Sequence, residues 1–337
     1  MELESYGVLC VEGGDQVGKG DATSRILNEL ESECVNITYS SFPVYATPVG
    51  TVIRSLLKNG CPEEVLSAES NLDVRMALFA LNRMEFMDVY LSNEKYWDTL
   101  LVLDRSPYSN AVTIGYGISL QSDWNREQVQ KYIDKAMNYD SLMISKLGLD
   151  RCVVQLKSEE DEWRNIRGEG TDHYEKKDVQ ERCSEVYSMY KDIVGPGWNE
   201  VVTKSNDGWR SRDDIWGDIE NILWSTYGIM GEIRQGDRYD IGFKEIVEGM
   251  YPKAVYDKKS YSIYNKALKG NVKDLMYSEG LKLGGQVANS CINIRFKSTQ
   301  VRDEFRRVVL EVPEVMNVFA YFLGGSFVDK LKRGLEL

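Results

Sequence analysis

Residues 6–30 of this 337-residue chain read YGVLCVEGGDQVGKGDATSRILNEL. The apolar run at residues 6–11 is short and β-branched enough to predict a buried strand. A glycine-rich turn follows at residues 13–19, and after it apolar residues recur with helical spacing. A strand, then Gly-x-x-x-x-Gly-Lys, then a helix is the sequence pattern of a phosphate-binding loop.

The residue types of this loop suit an anion. Gly13 and Gly18 allow backbone conformations that a Cβ atom would forbid, so successive N–H groups can turn toward a phosphate. A helix that starts near Lys19 adds unpaired N–H donors and a positive dipole end, and the lysine adds a cation. The predicted phosphate-binding residues are Gly13, Gly14, Gln16, Val17, Gly18, Lys19, Gly20 and Asp21.

One position departs from the usual pattern of such loops. The residue after the lysine is normally Ser or Thr, whose hydroxyl binds Mg²⁺, but here it is Gly20. The Gly-Lys-Gly step resembles nucleoside monophosphate kinases of the adenylate kinase type. It favours small-molecule kinases over GTPases and motor ATPases.

The composition predicts a soluble protein of two domains. Apolar residues make up 42% of the chain and charged residues 28%, which is ordinary for globular proteins. We expect a cytoplasmic location, because there is neither a membrane-spanning run nor a signal-peptide pattern and the six cysteines are scattered. A single histidine, His173, leaves little material for a zinc site or a Ser-His triad.

The charge is distributed unevenly along the chain. The net charge is −12, but residues 227–337 carry 18 basic against 14 acidic side chains, a net of +4. Residues 1–226 carry 23 basic against 39 acidic side chains, a net of −16. Because the phosphate loop lies in the acidic part, its affinity for anions must come from a few focused cations.

Short apolar runs that alternate with helical patterns predict an α/β fold with a parallel sheet between two helical layers. The five predicted strands cover residues 6–11, 35–42, 100–103, 152–156 and 200–203. Ligands of such sheets bind beyond the carboxyl ends of the strands. The phosphate loop, Phe42-Pro43 and Asp104-Arg105 all follow predicted strands.

Four segments, in order, resemble the thymidylate kinase family: VEGGDQVGKG, SFPVYATPVG, LFALNR with LDRSPYSN, and DHYE. The resemblance covers roughly residues 5–226. It implies a P-loop NTPase fold with a five-stranded parallel sheet in a three-layer α/β/α arrangement. It also implies transfer of the ATP γ-phosphoryl group to dTMP, which yields dTDP, with Mg²⁺ as the cofactor. We expect a homodimer.

The resemblance assigns the acceptor nucleotide to specific residues. Asp15 would meet the deoxyribose 3′-hydroxyl, Phe42 would pack on the sugar, and Tyr45 would lie near the acceptor phosphate. Phe79 would stack on thymine, and Arg83, four residues later on one helix face, would donate to a pyrimidine oxygen. On its own, Phe42 favours ordinary core packing, and an internal carboxylate is the alternative partner for Arg83.

The phosphoryl-transfer residues come from the same resemblance. Arg105 would bind the acceptor phosphate, Asp104 would reach the Mg²⁺ shell, largely through water and phosphate, and Asn110 would lie near the base. The polar, aperiodic stretch 157–175 predicts a lid, and an unremarkable surface loop is the alternative. The lid residues with implied roles are Arg164 and Arg167, which would stabilise the transferring group, and Asp172, Tyr174 and Glu175.

Three residues depart from the family pattern. Val44 stands where many relatives have arginine, Ser106 replaces a common tyrosine after Asp-Arg, and Thr113 occupies the place of a tyrosine that screens against a 2′-hydroxyl. These changes are consistent with a modified pyrimidine or a broader range of monophosphates. A deoxynucleoside kinase is a further alternative, although the glutamate base of such enzymes is replaced here by Phe42.

Residues 227–337 contain no recognisable motif and predict a mostly helical domain, so we divide the chain into domains 1–226 and 227–337. The preferred hypothesis is an accessory domain that packs on the acidic kinase or helps it dimerise. The alternative from another class is a non-catalytic nucleotide-binding module whose basic tail docks on nucleic acid or a partner protein. Binding to nucleic acid would show a steep dependence on salt.

Overall fold

A computed structural model describes residues 7–14, 17–32, 36–120, 124–158, 177–205, 208–228 and 237–337. The strands are β1 (Gly7–Glu12), β2 (Ile37–Ser41), β3 (Leu100–Asp104), β4 (Val153–Ser158), β5 (Trp198–Ser205), β6 (Gly208–Trp209) and β7 (Arg238–Asp240). The helices are α1 (Lys19–Ser32), α2 (Pro48–Asn59), α3 (Asn71–Leu91), α4 (Asn110–Ser119), α5 (Arg126–Tyr139), α6 (Ser141–Leu147), α7 (Lys177–Val194), α8 (Arg212–Tyr227), α9 (Phe243–Met250), α10 (Lys258–Lys269), α11 (Lys273–Ser290), α12 (Thr299–Glu311), α13 (Glu314–Leu323) and α14 (Gly325–Leu335).

The strands form one sheet in the order β6-β5-β4-β1-β3-β2-β7, and every pairing except that of β5 with β6 is parallel. The predicted α/β fold class is confirmed, and the five predicted strands are β1 to β5. The sheet of the described residues is nevertheless larger than predicted, because β6 and β7 add a strand at each edge. These strands have only two and three residues, which is too short for a pattern to show in the sequence.

Helices α1 and α8 cover one face of the sheet. Ile26 and Leu27 from α1 and Ile219 from α8 are buried together with apolar residues of the five strands β1 to β5. These strands read as continuous apolar runs because both faces of a parallel sheet are covered. On the other face, α7 lies against β1 and β5 through Tyr187, and α4 packs along α7.

The chain separates into two compact units, each built from two stretches of sequence. The sheet unit comprises Met1–Ser41 and Glu94–Asp240, and the helical unit comprises Phe42–Asn93 and Ile241–Leu337. The helical character predicted for the C-terminal segment is confirmed, although β7 joins the sheet. The domain boundary at residue 226 stays a prediction, because these units follow spatial contacts rather than chain order.

In the helical unit, α3 is surrounded by other helices. This helix carries the LFALNR segment, and 17 of its 21 residues are buried. Its neighbours are α2, α9, α12 and α13, of which three come from the C-terminal segment. A helix that is buried all round needs polar partners for its charged side chains.

Two close contacts tie the C-terminal segment to the rest of the helical unit. The Asp88 carboxylate on α3 accepts hydrogen bonds from the backbone amides of Lys297 (2.9 Å) and Ser298 (2.8 Å), just before α12. Gly284 of α11 lies so near α2 that an added Cβ would come within 1.8 Å of the Thr51 hydroxyl oxygen. Among the described residues, no helix is both long and apolar enough to cross a membrane.

Candidate functional site

The glycine-rich loop connects β1 to α1, as its sequence predicts. Gly13 and Gly18 have φ values of 141° and 82°, a region that glycine enters without strain. A Cβ on Gly13 would lie 2.5 Å from the Leu156 carbonyl oxygen, so this position admits no side chain. The Lys19 ammonium donates to the carbonyls of Gly13 (3.1 Å) and Gly14 (3.2 Å), so it folds back over its own loop.

The Asp104-Arg105 step lies at the same edge of the sheet. β1 pairs with β3 so that Val11 is opposite Asp104, and the Arg105 amide donates to the Val11 carbonyl at 3.0 Å. Arg105 has a φ of 72°, which is strained for a residue with a side chain. The end of β3 is therefore turned sharply beside the start of the phosphate loop.

The Asp104 carboxylate has one bonded and one unbonded oxygen. Oδ2 accepts a hydrogen bond from the Ser41 hydroxyl at 3.1 Å, since β2 pairs with β3 and brings Ser41 opposite Asp104. Oδ1 is buried and has no hydrogen-bond partner among the described residues. A buried carboxylate oxygen without a partner is costly, so this atom suits a cation, a water molecule or a ligand.

A buried carboxylate that the sequence analysis missed lies beneath the loop. Glu12 is 0% exposed and ends β1. Its Oε1 accepts from the amide (2.7 Å) and hydroxyl (2.6 Å) of Ser106, and its Oε2 accepts from Ser109 (2.6 Å) and Tyr187 (2.9 Å). A charged residue directly after the apolar run of β1 is the one signal in the sequence that could have found it.

Tyr187 is neutral in this arrangement. Burial, reinforced by the charge of Glu12, raises the pKa of Tyr187 well above its ordinary value, and the nearby Arg105 charge offsets this only in part. The phenol therefore keeps its proton and donates a hydrogen bond to Glu12, while its oxygen accepts one from the Gly13 amide at 3.4 Å. The first amide of the phosphate loop is thus tied to α7.

A cavity of about 250 Å³ opens beside the loop within the sheet unit. It is lined by Gly18 and the first turns of α1, by β5 and β6, and by the start of α8. Trp209, Trp216 and Ile215 provide its apolar walls. The Arg212 guanidinium and the Asp21 carboxylate, both lining residues, form an ion pair of 2.7 Å. Of these lining residues, Gly18 and Asp21 belong to the predicted phosphate-binding loop. No motif marks the tryptophan and isoleucine walls, and the cavity was not predicted.

The helical unit contains four of the predicted acceptor-binding residues. Phe42 is 4% exposed, and its ring packs edge-on against Phe86 with centroids 5.4 Å apart. Tyr45 is half-buried, with its ring edge-on to Tyr277 of α11 at 5.2 Å. The Arg54 guanidinium lies 3.6 Å from the centre of the Tyr277 ring. Phe42 thus has a core position, whereas Tyr45 keeps an accessible part.

Phe79 and Arg83 lie one turn apart on α3, as their spacing predicts. Phe79 is half-buried, whereas Arg83 is only 2% exposed. Asn82, between them in sequence, accepts a hydrogen bond from the Val44 amide at 2.8 Å. The segment that follows β2 is therefore fixed to α3.

Comparison with protein families finds one match. Residues 11–146 match the description "Thymidylate kinase". The match to the thymidylate kinase family lies in this part of the chain, which is less than half of its 337 residues. The match supports nucleotide kinase activity with ATP, and hence a phosphotransferase. It agrees with the resemblance that the four sequence segments carry.

The remaining comparisons add little to the family assignment. Among solved structures, a thymidylate kinase from Candida albicans is similar, with 18% sequence identity and a TM-score of 0.45. The similarity covers 65% of this chain and 91% of that chain. No curated protein matches the sequence.

Asn110 is another residue that the resemblance to thymidylate kinases assigns to the site, and it is buried. It is 1% exposed at the start of α4, and its amide nitrogen lies 3.4 Å from an Asp140 carboxylate oxygen. Its predicted role near the base stays a prediction, and this contact favours a structural one. The predicted residues that lie outside the described ranges are Asp15, Gln16, Arg164, Arg167, Asp172, Tyr174 and Glu175.

Two departures from the thymidylate kinase pattern have structural counterparts. Val44 is buried, and its carbonyl accepts from the Thr47 hydroxyl at 3.0 Å, so no cation points outward from this position. Ser106 donates both its amide and its hydroxyl to Glu12, and a tyrosine would keep only the amide donor because its hydroxyl lies far from the backbone. The third, Thr113, is buried in α4.

A second buried carboxylate, Glu85, was also missed. It is 0% exposed on α3 and accepts from Thr47 (2.6 Å), from Asn82 (2.8 Å) and from the Tyr251 hydroxyl. Burial raises the pKa of the Glu85 carboxyl to about 7, although these hydrogen bonds act in the opposite direction. Glu85 joins α2, α3 and the residue after α9 inside the helical unit.

Proposed function

We propose that this protein transfers the γ-phosphoryl group of ATP to a pyrimidine deoxynucleoside monophosphate, with dTMP as the preferred acceptor and dTDP as the product. The observation that carries the proposal is the adjacency of two segments at one sheet edge. The loop that bears Lys19 and the turn that bears Arg105 leave neighbouring parallel strands paired at Val11 and Asp104. Phosphoryl transfer needs such focused cations and amides more than it needs covalent chemistry.

The donor half of the proposal rests on the loop and the cavity. The Lys19 ammonium now donates to loop carbonyls, which are weaker acceptors than the charged oxygens of a triphosphate. The cavity reaches Gly18 and has tryptophan and isoleucine walls, which suit a purine base. The base and phosphates of ATP would then lie on the same side of the start of α1.

The Asp104 carboxylate supports a role for Mg²⁺. Its buried Oδ1 has no partner among the described residues, which fits an atom that faces a hydrated cation. Within the described ranges, no group of three or more His, Cys, Asp or Glu side chains could hold a metal, so phosphate oxygens and water would provide most ligands. When bound, Mg²⁺ would neutralise phosphate charge. Ser41 would keep the Asp104 carboxylate oriented through its hydrogen bond.

Arg105 would bind the acceptor phosphate. No general base is required, because a phosphate monoester is already a nucleophile near neutral pH, which separates this proposal from a deoxynucleoside kinase. For the base, Phe79 keeps part of its ring accessible for stacking. Phe42 packs on Phe86, so its contribution to the sugar site is indirect. The assignments of Asp15, Arg164 and Arg167, the homodimer and the cytoplasmic location stay predictions.

A broader acceptor range is the second candidate function. Val44 is buried and bonded to Asn82 and Thr47, where many relatives carry arginine, so one contact to the acceptor is absent. Such a loss would relax discrimination among monophosphates.

A panel of nucleoside monophosphates with Mg-ATP tests both candidates through ADP release. We expect the highest kcat/KM with dTMP and no turnover of thymidine. Equal rates for several pyrimidine monophosphates would favour the broader range, and thymidine as the better acceptor would refute the monophosphate kinase. An Arg105→Ala variant should lose activity by orders of magnitude and keep its unfolding midpoint.

A further inference from the structure

The Glu12 carboxylate receives donors from three separate segments, all in the sheet unit. Ser106 follows the Asp104-Arg105 step, Ser109 precedes α4, and Tyr187 lies in the middle of α7. Glu12 itself is the last residue of β1, directly before the phosphate loop. A single buried side chain therefore precedes the loop that leads to Lys19 and contacts the segment that follows Arg105.

Both oxygens of the Glu12 carboxyl group have hydrogen-bond donors. The four donor–acceptor distances run from 2.6 to 2.9 Å, two at each carboxylate oxygen. Hydrogen bonds of this length at a carboxyl group are strong ones. Because the side chain is 0% exposed, water cannot replace a lost donor.

Arg105 needs this support. Its φ of 72° is unfavourable for a residue with a side chain, and such a conformation persists only when its surroundings fix it. The residue on its carboxyl side is Ser106, whose amide and hydroxyl both donate to Glu12. On the amino side, the Arg105 amide itself donates to the carbonyl of Val11, the residue before Glu12. The turn is thus fastened to β1 on both sides of the strained residue.

The phosphate loop is fastened to the same group. The Gly13 amide donates to the Tyr187 hydroxyl at 3.4 Å, and that hydroxyl donates to Glu12 at 2.9 Å. Loss of the hydroxyl would leave the Gly13 amide and one Glu12 oxygen each short of a partner. Neither group would be removed, so the loop would stay intact but less fixed.

We propose that Glu12, through Ser106 and Tyr187, is the positioning residue that sets the phosphate loop and the Arg105 turn relative to each other. This inference rests on the proposed phosphoryl transfer. The inference adds to the proposed reaction a residue that touches neither nucleotide. Ser106, which departs from the family pattern, acts here as an anchor of the arginine turn.

Tyr187→Phe is the primary test, and Tyr190→Phe is its matched control. Tyr190 is a buried tyrosine of the same helix whose ring packs on Tyr108 at 5.5 Å. We expect Tyr187→Phe to lower kcat about 10- to 100-fold, because small misplacements of catalytic groups have effects of that order. The KM values for both nucleotides should stay within about threefold, because the groups that bind phosphate are all retained. Tyr190→Phe should keep kcat within about twofold of the wild-type value.

A second measurement does not depend on activity. Hydrogen–deuterium exchange of the free protein should be faster in peptides that contain Gly13 and Arg105 in Tyr187→Phe than in Tyr190→Phe. Ser106→Ala removes one donor but keeps the backbone amide, and it should show the same two effects at smaller size. Glu12→Gln, which keeps the shape, should retain more activity than Glu12→Ala.

The outcomes separate the two claims. An unchanged kcat together with unchanged exchange in Tyr187→Phe and Ser106→Ala would overturn the positioning role. A KM increase with normal kcat would overturn it too, because it would mean that Tyr187 acts on ground-state binding. The third outcome is faster exchange in the variants together with a wild-type protein that phosphorylates no monophosphate. It would support the positioning of the loop and refute the proposed reaction.

Discussion

The sheet unit and the helical unit hold their candidate functional residues in different ways. In the sheet unit, Lys19 begins the helix that follows the glycine-rich loop after β1, and Arg105 lies in the turn after β3. The backbone around them forms the site. In the helical unit, Arg83 lies on a helix that buries 17 of its 21 residues, so its position depends on everything packed around α3. The difference teaches that a substitution in the first unit should change the chemistry, whereas one in the second should first change stability.

Lys19→Ala should show the largest effect and only on turnover. The ammonium is the phosphate-loop cation, and loss of one preorganised charge of this kind lowers kcat about 10²- to 10³-fold. The free energy of unfolding should change little, because the hydrogen bonds of the ammonium to the loop carbonyls of Gly13 and Gly14 are only part-buried. Steady-state kinetics and urea denaturation measure the two quantities. Lys131→Ala, in an exposed pair with Glu127, is the control and should change neither.

The pH dependence of stability should reveal Glu85 in the helical unit. Burial raises the pKa of this carboxyl from 4.5 to about 7, so the folded state keeps its proton to higher pH than the unfolded state does. The stability from this site is therefore complete below about pH 4.5 and is lost as the pH rises through about 7. The total change is on the order of 3 kcal/mol.

Urea denaturation at pH 5 and pH 8 tests this dependence in the wild-type protein and in Glu85→Gln. The variant has no carboxyl to titrate, so its stability should change less over the same interval. An equal change in the free energy of unfolding for the two proteins would mean that other groups, and not Glu85, cause the pH dependence.

Asp88→Ala should destabilise the helical unit by about 1–3 kcal/mol, because it leaves the amides of Lys297 and Ser298 without their acceptor. Asp88→Asn keeps one acceptor oxygen and should cost less. Thermal unfolding measures both. A stability equal to that of the wild-type protein in Asp88→Ala would mean that the start of α12 is held by other contacts.

The smallest effect is expected at an ion pair on the surface of the sheet unit. Arg126 and Asp192 approach to 3.1 Å, with side chains that are 74% and 67% exposed. Exposed pairs of this kind contribute about 0–1 kcal/mol, so Arg126→Ala should shift the unfolding midpoint very little. A larger shift would show that exposed contacts matter more in this unit than the comparison assumes.

The same contrast explains what the sequence could predict. The five central strands and the phosphate loop are local patterns of fewer than twenty residues, and all were found. Glu12 was missed because its role arises only when β1, the Arg105 turn and α7 meet. The partners of Glu85 and Tyr45 in the helical unit are Tyr251 and Tyr277, which are more than 150 residues away in sequence and belong to a segment without motifs. No periodicity can indicate such pairs.

The two shortest strands have a consequence for solubility. β6 and β7 occupy the two edges of the sheet, with two and three residues, and both come from outside the stretch that matches the family. A sheet invites another chain to pair along an open edge, and natural proteins discourage this with very short outer strands. On one side, β7 pairs with Ile37, Thr38 and Tyr39 of β2, so an incoming strand would find three residues of β7 to join. On the other side, β6 pairs with Lys204 and Ser205 of β5 and offers two.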